Sequence, residues 1–277
     1  MGKQKLKNLL GFLILLFFAV LFIMPVAVVL MNSFKSRFSI SQYPFVLPDA
    51  NTFVMLENYT EGIKNTGFFS AFGWSLFITV FSVAAIVVFT SMTAWYIVRV
   101  KGIFNSILYY ALVFSMIVPF QMVMFTMSKT ANALSLDNPL GIVFIYLGFG
   151  AGLSVFMFTG FIKSVPVQIE EAATIDGCNA VQTFWQIVFP ILKPTAITVA
   201  ILNTMWIWND YLLPYLVIGR DYKTIPVAIQ YLKGGYGSVD MGAMMAMLVL
   251  AIIPVVIFYL TCQKYIIKGV AAGAVKG

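Results

Sequence analysis

Histidine is absent from the 277 residues, and cysteine occurs only twice. The first absence removes the commonest general base and the commonest zinc ligand. Cys178 and Cys262 fall in different segments with no metal-like spacing, so neither a structural disulfide nor a zinc site is expected. Charge is scarce as well, with Asp, Glu, Lys and Arg making up 10% of the chain. A soluble domain carries about 25%, because it needs charge to cover its surface. No Gly-x-x-x-x-Gly-Lys-Ser/Thr phosphate loop occurs, so the chain cannot hydrolyse ATP by that route.

Apolar residues fill the space instead, at 61% of the chain and a mean hydropathy of +0.95. They gather into six blocks: Leu9 to Met31, Phe68 to Val98, Phe104 to Met127, Gly141 to Ile162, Thr195 to Ile218 and Met241 to Cys262. Each is long enough to cross a bilayer, which takes roughly 20 helical residues. Lipid offers no hydrogen bonds, so only helices or a closed barrel can span it, and blocks this long and apolar on every face are helices. The expected fold class is therefore an all-α integral membrane protein with six transmembrane helices. The expected division is an N-terminus at 1–8, a first helix at 9–31, an external loop at 32–67, a five-helix core at 68–262 and a tail at 263–277. Lys3, Lys5 and Lys7 ahead of the first block suggest a signal peptide, but the run is too long and no Ala-x-Ala site follows. It reads as a retained span.

The net charge of +7 needs no nucleic-acid partner, because the basic residues fall in loops beside membrane. A cytoplasmic N-terminus puts Lys3, Lys5, Lys7, Arg99, Lys101, Lys163, Lys193, Lys264, Lys268 and Lys276 inside. Outside remain Lys35, Arg37, Lys64, Lys129, Arg220, Lys223 and Lys233. This bias favours both termini inside, although Lys35 and Arg37 run against it. Both cysteines then face a reducing compartment. Asn58-Tyr59-Thr60 fits the glycosylation triplet, which matters only in a secretory-pathway cell.

The most structured connection is residues 163–194. Pro166 suits the start of a helix, where its missing N–H is harmless. Glu170 and Glu171 follow in the first turns, favoured there by the helix dipole. Gly177 suits a left-handed ending, and Asn179 an N-cap for a second helix. Val181, Phe184, Trp185 and Val188 then fall at helical spacing, and Pro190 and Pro194 stop that helix before the fifth span. Two short helices with a glycine elbow form a rigid projection. Ala172 and Ala173 leave one side of it thin enough for another protein to approach closely.

Glu171-Ala-Ala, three residues, Gly177, nine residues and Ile187-Val-Phe-Pro190 closely resembles the EAA loop of binding-protein-dependent ABC importers. The form here, Glu-Glu-Ala-Ala-x-Ile-Asp-Gly with a following Phe, resembles the carbohydrate branch. Trp208-Asn-Asp-Tyr-Leu-Leu-Pro214 agrees, as does the C-terminus from Thr224-Ile-Pro-Val through Ile253-Pro254 to Gly269-Val-Ala-Ala-Gly-Ala-Val-Lys-Gly277. The match is best to the shorter permease of a heterodimeric pair, as in the maltose importer family. Gln168 departs from relatives that often carry an acid there.

The resemblance implies a type I importer permease in a bacterial or archaeal inner membrane. It implies as partners a second related permease, an ABC ATPase dimer that holds the ATP and magnesium, and an external solute-binding protein. This chain itself would bind no cofactor and no metal, and would not be an enzyme. Glu170, Glu171, Ala172, Ala173, Asp176, Gly177, Ile187 and Pro190 would couple to the ATPase. The tail from Gly269 to Lys276 and Gly277 would reach towards it.

Asp210 is the only acid inside a predicted span, about 22 Å along the fifth helix. A charge in lipid is costly, so it should face a polar cavity or a partner group. With Trp206, Trp208, Asn209 and Tyr211 it would form a solute pathway, amide and carboxylate bonding hydroxyls while a ring packs on a sugar face. Equally, the aromatics form an interfacial belt and Asp210 bonds backbone freed by Pro214. Gly148 and Gly152, with Gly150 between, suit close helix packing. Pro25, Pro119 and Pro254 fall where they would bend spans. Met244, Met245 and Met247 read as packing surface. The polar outer segment Arg220 to Asp240, with Lys233-Gly-Gly-Tyr-Gly237, is placed to face a binding protein or to form a plain loop. A self-sufficient secondary transporter or channel is the alternative, and predicts buried coupling charges or an internal repeat. An intramembrane enzyme would need a nucleophile–base pair or metal ligands in the spans, and the absence of His and near-absence of intramembrane acids argue against it.

Overall fold

A computed structural model describes residues 2–219, 221–232 and 239–274. It is helical, and among the described residues five helices are long and apolar enough to cross a membrane. Two contact units divide the chain: residues 1–69 with 228–256, and residues 70–227 with 257–277.

The first unit starts with α1 (Gly2–Asn32). The most apolar stretch of this span is entirely unburied. Two short helices follow, α2 (Arg37–Gln42) and α3 (Glu57–Thr66). Asn58 ties them to the end of α1, its amide donating to the carbonyls of Ser33 at 2.8 Å and Lys35 at 2.9 Å. Tyr59 adds a 2.7 Å hydroxyl bond to Ser33. Asn58 is buried, and its side chain also packs on Gly242, where a Cβ would collide with it. The glycosylation triplet is thus excluded as a modification site by its own hydrogen bonds. Lys35 is buried too, its ammonium donating to the Tyr43 carbonyl at 2.7 Å. Burial pushes its pKa below the usual lysine value, with Asp49 pulling it back. This cation belongs to the fold of the loop, which explains its place against the charge bias.

In the second unit, α4 (Phe68–Arg99) and α7 (Pro139–Ile162) are spans with buried faces. The buried face of α4 is mostly small, including Ala71, Ser75, Thr79, Ser82, Ser91 and Ala94, which lets neighbouring backbones approach. Its larger members, such as Ile86, join Tyr146, Phe158 and Leu192 in one core. The glycines of α7 divide by face. A Cβ at Gly150 would lie 2.6 Å from Ile86, and one at Gly152 would lie 2.6 Å from the Leu112 carbonyl. Gly148 meets nothing. The close contact is therefore built on Gly150 and Gly152, not on the expected Gly148–Gly152 pair.

The third block is not one span. It splits into α5 (Ile103–Ser115) and α6 (Phe120–Ala133), which meet at 107°. Pro119 is the cause: it lacks an N–H and biases Val118 away from helical backbone. Among the described residues the fold therefore has five long apolar helices plus one bent pair.

Beyond α7 come α8 (Gln168–Ile175) and α9 (Ala180–Gln182), with Gly177 left-handed at φ +87° between them. Asn179 caps α9 in a reciprocal box with Gln182. The prolines do not stop the chain here. A π turn at Thr183–Val188 leads directly into α10 (Phe189–Asn209), and Phe189 donates five residues back to Phe184. The wider turn absorbs the donor that Pro190 lacks. It also changes the phase of the apolar residues, burying Phe184 and Val188 while Val181 and Trp185 stay exposed. The fifth block ends early, breaking at Asp210 before α11 (Leu212–Val217). Last come α12 (Ile225–Gln230) and α13 (Met241–Ala274), which carries Gly269. Met247 is fully buried against Gly62, as a packing residue should be. Both thiols are free. Arg220 and Lys233-Gly-Gly-Tyr-Gly237 of the outer segment, and Lys276 and Gly277 of the tail, lie outside the described residues.

Gly152→Leu should destabilise the detergent-solubilised chain by about 1–3 kcal/mol or more, since backbone rather than a flexible side chain blocks the space. Gly148→Leu should leave thermal unfolding unchanged. Equal melting of both variants would contradict the assignment of the packing face.

Candidate functional site

Helix α8 carries the motif, and its two adjacent acids face opposite ways. Glu170 is buried. One carboxylate oxygen accepts from Arg99 Nε at 2.9 Å and from the same guanidinium's Nη2 at 2.8 Å. The other accepts from Trp95 Nε1 at 2.9 Å. Arg99 also donates to the Val165 carbonyl at 3.0 Å, gripping the turn that leads into α8. This is the only ion pair among the described residues.

Behind it, Trp95 packs on Phe184 at 5.6 Å between ring centroids, and Phe184 on Trp185 and Phe189. Ala173 is buried on the same side. The opposite face is free: Glu171, Ala172 and Asp176 are exposed, and Ile175 is 85% exposed. Of the thin side expected from two alanines, only Ala172 is open to an approaching chain. Gly177 is exposed with nothing around it, so its left-handed backbone alone demands glycine there. Ile187 is half-buried in the π turn, and Pro190 is exposed at the start of α10.

Glu170, expected to face the ATPase, instead turns inwards onto Arg99 and Trp95 and anchors α8; of the two acids Glu171 is the exposed one. Arg99 and Trp95 were missed. They lie 71 and 75 residues from Glu170, and no local pattern announces such a pairing. The only available signal was a basic residue closing a span, which reads equally as a topological charge.

The second constellation lies at the break after α10. Asp210 takes a hydrogen bond from the Tyr146 hydroxyl at 2.9 Å through one oxygen and from the Leu212 backbone N–H at 3.0 Å through the other. The carboxylate therefore caps α11 and closes the break. Tyr146 is fully buried and meets Trp206 edge-on at 5.4 Å. Trp208 is buried edge-on against Phe72, and Tyr211 stacks on Tyr215 at 5.2 Å. Asn209 is exposed, its amide donating to the Met205 carbonyl. The five expected residues make separate contacts. Asp210 and Trp206 share Tyr146, which sequence reasoning missed because a single tyrosine in an apolar block carries no signal.

Glu170→Ala would leave a guanidinium and an indole N–H facing a void, a loss of about 3–5 kcal/mol for a buried pair. Limited proteolysis should then cut residues 163–182 markedly faster than in the native chain. Glu171→Ala should leave the cutting rate unchanged. Native resistance in Glu170→Ala would contradict the anchor.

Comparison with known proteins agrees with this geometry. Residues 86–272 match the family model described as binding-protein-dependent transport system inner membrane component. A probable starch degradation products transport system permease protein, AmyC, of Thermoanaerobacterium thermosulfurigenes is 41% identical over 93% of each chain. The multiple sugar-binding transport system permease protein MsmG of Streptococcus mutans is 34% identical over 99% of each. Among solved structures, a bacterial ABC transporter involved in import of the acidic polysaccharide alginate has a chain with a TM-score of 0.78. That chain is 23% identical, with 96% of this chain and 98% of the other covered, and so bears on the fold. The motif on α8, the helical architecture and these matches agree: the chain belongs to the family of binding-protein-dependent transport system inner membrane components.

Proposed function

We propose that this chain is the transmembrane permease subunit of an ATP-driven importer for a sugar or sugar-like solute. The observation that carries the reading is α8: a short helix locked to a membrane span by Glu170, presenting Glu171, Ala172, Ile175 and Asp176 outwards. A surface that is rigid behind and free in front suits a lever moved by another protein. That protein would be a cytoplasmic ATPase dimer holding ATP and magnesium, because this sequence has no phosphate loop of its own.

A second, related permease would complete the pathway, and an external binding protein would deliver the solute. The sugar assignment is supported by the names of the relatives, which refer to starch degradation products and multiple sugars. Another alginate transporter structure in the same fold includes an oligosaccharide-bound periplasmic protein, at a TM-score of 0.66. The setting is a bacterial or archaeal inner membrane with both termini cytoplasmic, the arrangement that puts α8 on the ATPase side.

ATP-driven closure of the ATPase pair would pull α8, and α4 and α10 would follow through the Glu170 and Phe184 contacts. The two permeases would then exchange inward-facing and outward-facing states, with the loaded binding protein biasing the same equilibrium from outside. Along the pathway, Trp206 and Asn209 retain exposed surface for a solute, while Asp210 holds the break that positions them. A self-sufficient transporter would carry paired charges within the membrane. The single ion pair among the described residues instead closes the end of α4 and serves α8.

Glu171→Ala and Gly177→Asp should both insert normally yet lose solute-stimulated ATP hydrolysis in reconstituted membranes. Glu171, exposed in the first turns of α8, offers a charge for a basic cleft, and truncating one partner of such a desolvated pair costs about 2–5 kcal/mol. Gly177→Asp places a Cβ at φ +87° and misaims the helix. Full stimulation and full co-purification of the ATPase in both variants would refute the proposal.

A further inference from the structure

Shortly after α1 and α2, the first unit carries an apolar tip that the rest of the chain leaves uncovered. Phe45, Val46 and Leu47 are consecutive and 73%, 58% and 75% exposed, and Tyr43 beside them is exposed as well. From Phe38 to Pro48 no residue is charged; Arg37 and Asp49 bound the stretch. Apolar residues exposed singly are ordinary, whereas a contiguous group marks a surface with a partner.

The tip is held stiffly and at a definable depth. Asn32, the last residue of α1, is buried. Its amide donates to the Pro44 carbonyl at 2.8 Å and to the Val28 carbonyl, within α1, at 2.9 Å. The buried Lys35 ammonium takes the neighbouring Tyr43 carbonyl at 2.7 Å. Two carbonyls at the root of the tip are thus bonded inside the protein, and the Lys35 charge is turned inwards. The apolar run of α1 ends at Met31, one residue before Asn32, so this root sits where hydrocarbon gives way to headgroups. The most apolar stretch of α1 is itself unburied, and Leu30 is exposed beside its end, so the apolar surface of the span runs on towards the tip. The watery side is marked too. Asp49 accepts from the N–H groups of Asn51 at 3.1 Å and Thr52 at 2.9 Å, closing an exposed polar turn directly after the tip.

We propose that residues 43–47 dip into the headgroup–acyl boundary of the bilayer beside the C-terminal end of α1, with lipid as their occupant. Aromatic and aliphatic side chains without charge gather at that boundary, whereas a patch that docks another protein in water carries a polar rim. The tip pins the loop to the membrane, and through Asn32 it fixes the depth of α1. This placement requires only that α1 span the bilayer, and holds whichever solute is carried.

Spin labels read the depth, in the full-length chain with Cys178 and Cys262 as serine. The chain is purified with the subunits that accompany it and reconstituted in phosphatidylethanolamine–phosphatidylglycerol vesicles. Labels at Val46→Cys and Leu47→Cys should collide more with oxygen, which concentrates in lipid, than with a water-soluble nickel chelate. At Asn51→Cys the chelate should dominate. Phe45→Ser with Leu47→Ser should reverse the ratio at a Val46→Cys label, since each such side chain favours an apolar phase by roughly tenfold to a hundredfold. Chelate-dominated collisions at Val46 and Leu47 in the otherwise native chain would overturn the proposal. So would exclusion of both reagents, which would mean that another protein covers the tip. An unchanged ratio in the double serine variant would overturn it as well.

Discussion

A carboxylate withdrawn from water must be matched by charge and hydrogen bonds, or it will not stay ionised or stay buried. Glu170 is matched by three donors from two residues of α4, and the arrangement of residues 163–189 follows from that match. It fixes which side of α8 faces the membrane spans. The next residue on a helix is rotated by about 100°, so Glu171 is turned away from the anchor and left exposed. Two neighbouring acids of one type thereby acquire different tasks, one holding the helix and one facing outwards. Gly177 then reverses the chain, and the π turn brings Phe184 back onto Trp95, so the anchor is supported by aromatic packing as well as by charge.

The departures from regular helix form a second theme. Each occurs where a backbone donor or acceptor would otherwise go unmatched, and each has its own remedy. At Pro119 the chain bends sharply and begins a new helix. Before Pro190 the turn widens, and Phe189 reaches five residues back. At Asp210 a carboxylate takes over the role of the missing helical carbonyl, accepting from Leu212, while the Tyr146 hydroxyl donates to its second oxygen. Polar groups inside a membrane protein are tolerated when protein groups complete their bonding.

The spans were legible because lipid imposes a length and a composition that no other constraint imitates; five of the six blocks recur in single long apolar helices, the fifth only as far as Asn209. The elbow at Gly177 and the cap at Asn179 were legible for a local reason: both depend on a side chain and the backbone within a few residues of it. What the sequence concealed is what depends on distance. The partners of Glu170 come from a helix more than 70 residues earlier, and Tyr146 is 64 residues from Asp210. Asn58 looked like a surface triplet because its hydrogen bonds run to a loop more than 20 residues away. The apolar spacing of Val181, Phe184, Trp185 and Val188 misled differently: it assumed a regular helical period that the π turn breaks. Hydropathy alone does not find the bend in the third block, which stays apolar through residue 118; the local signal is Pro119 itself.

The central claim is that α8 moves with α4 as one body, so that force applied to its outer face reaches the membrane spans. Pulsed electron resonance tests it with spin labels at Ile175→Cys and Tyr96→Cys, both exposed, in a chain where Cys178 and Cys262 are serine. The account predicts one narrow distance, identical in the assembled transporter with and without bound ATP. A distance that shifts or splits between the two states would show that α8 moves independently of α4, and would contradict it.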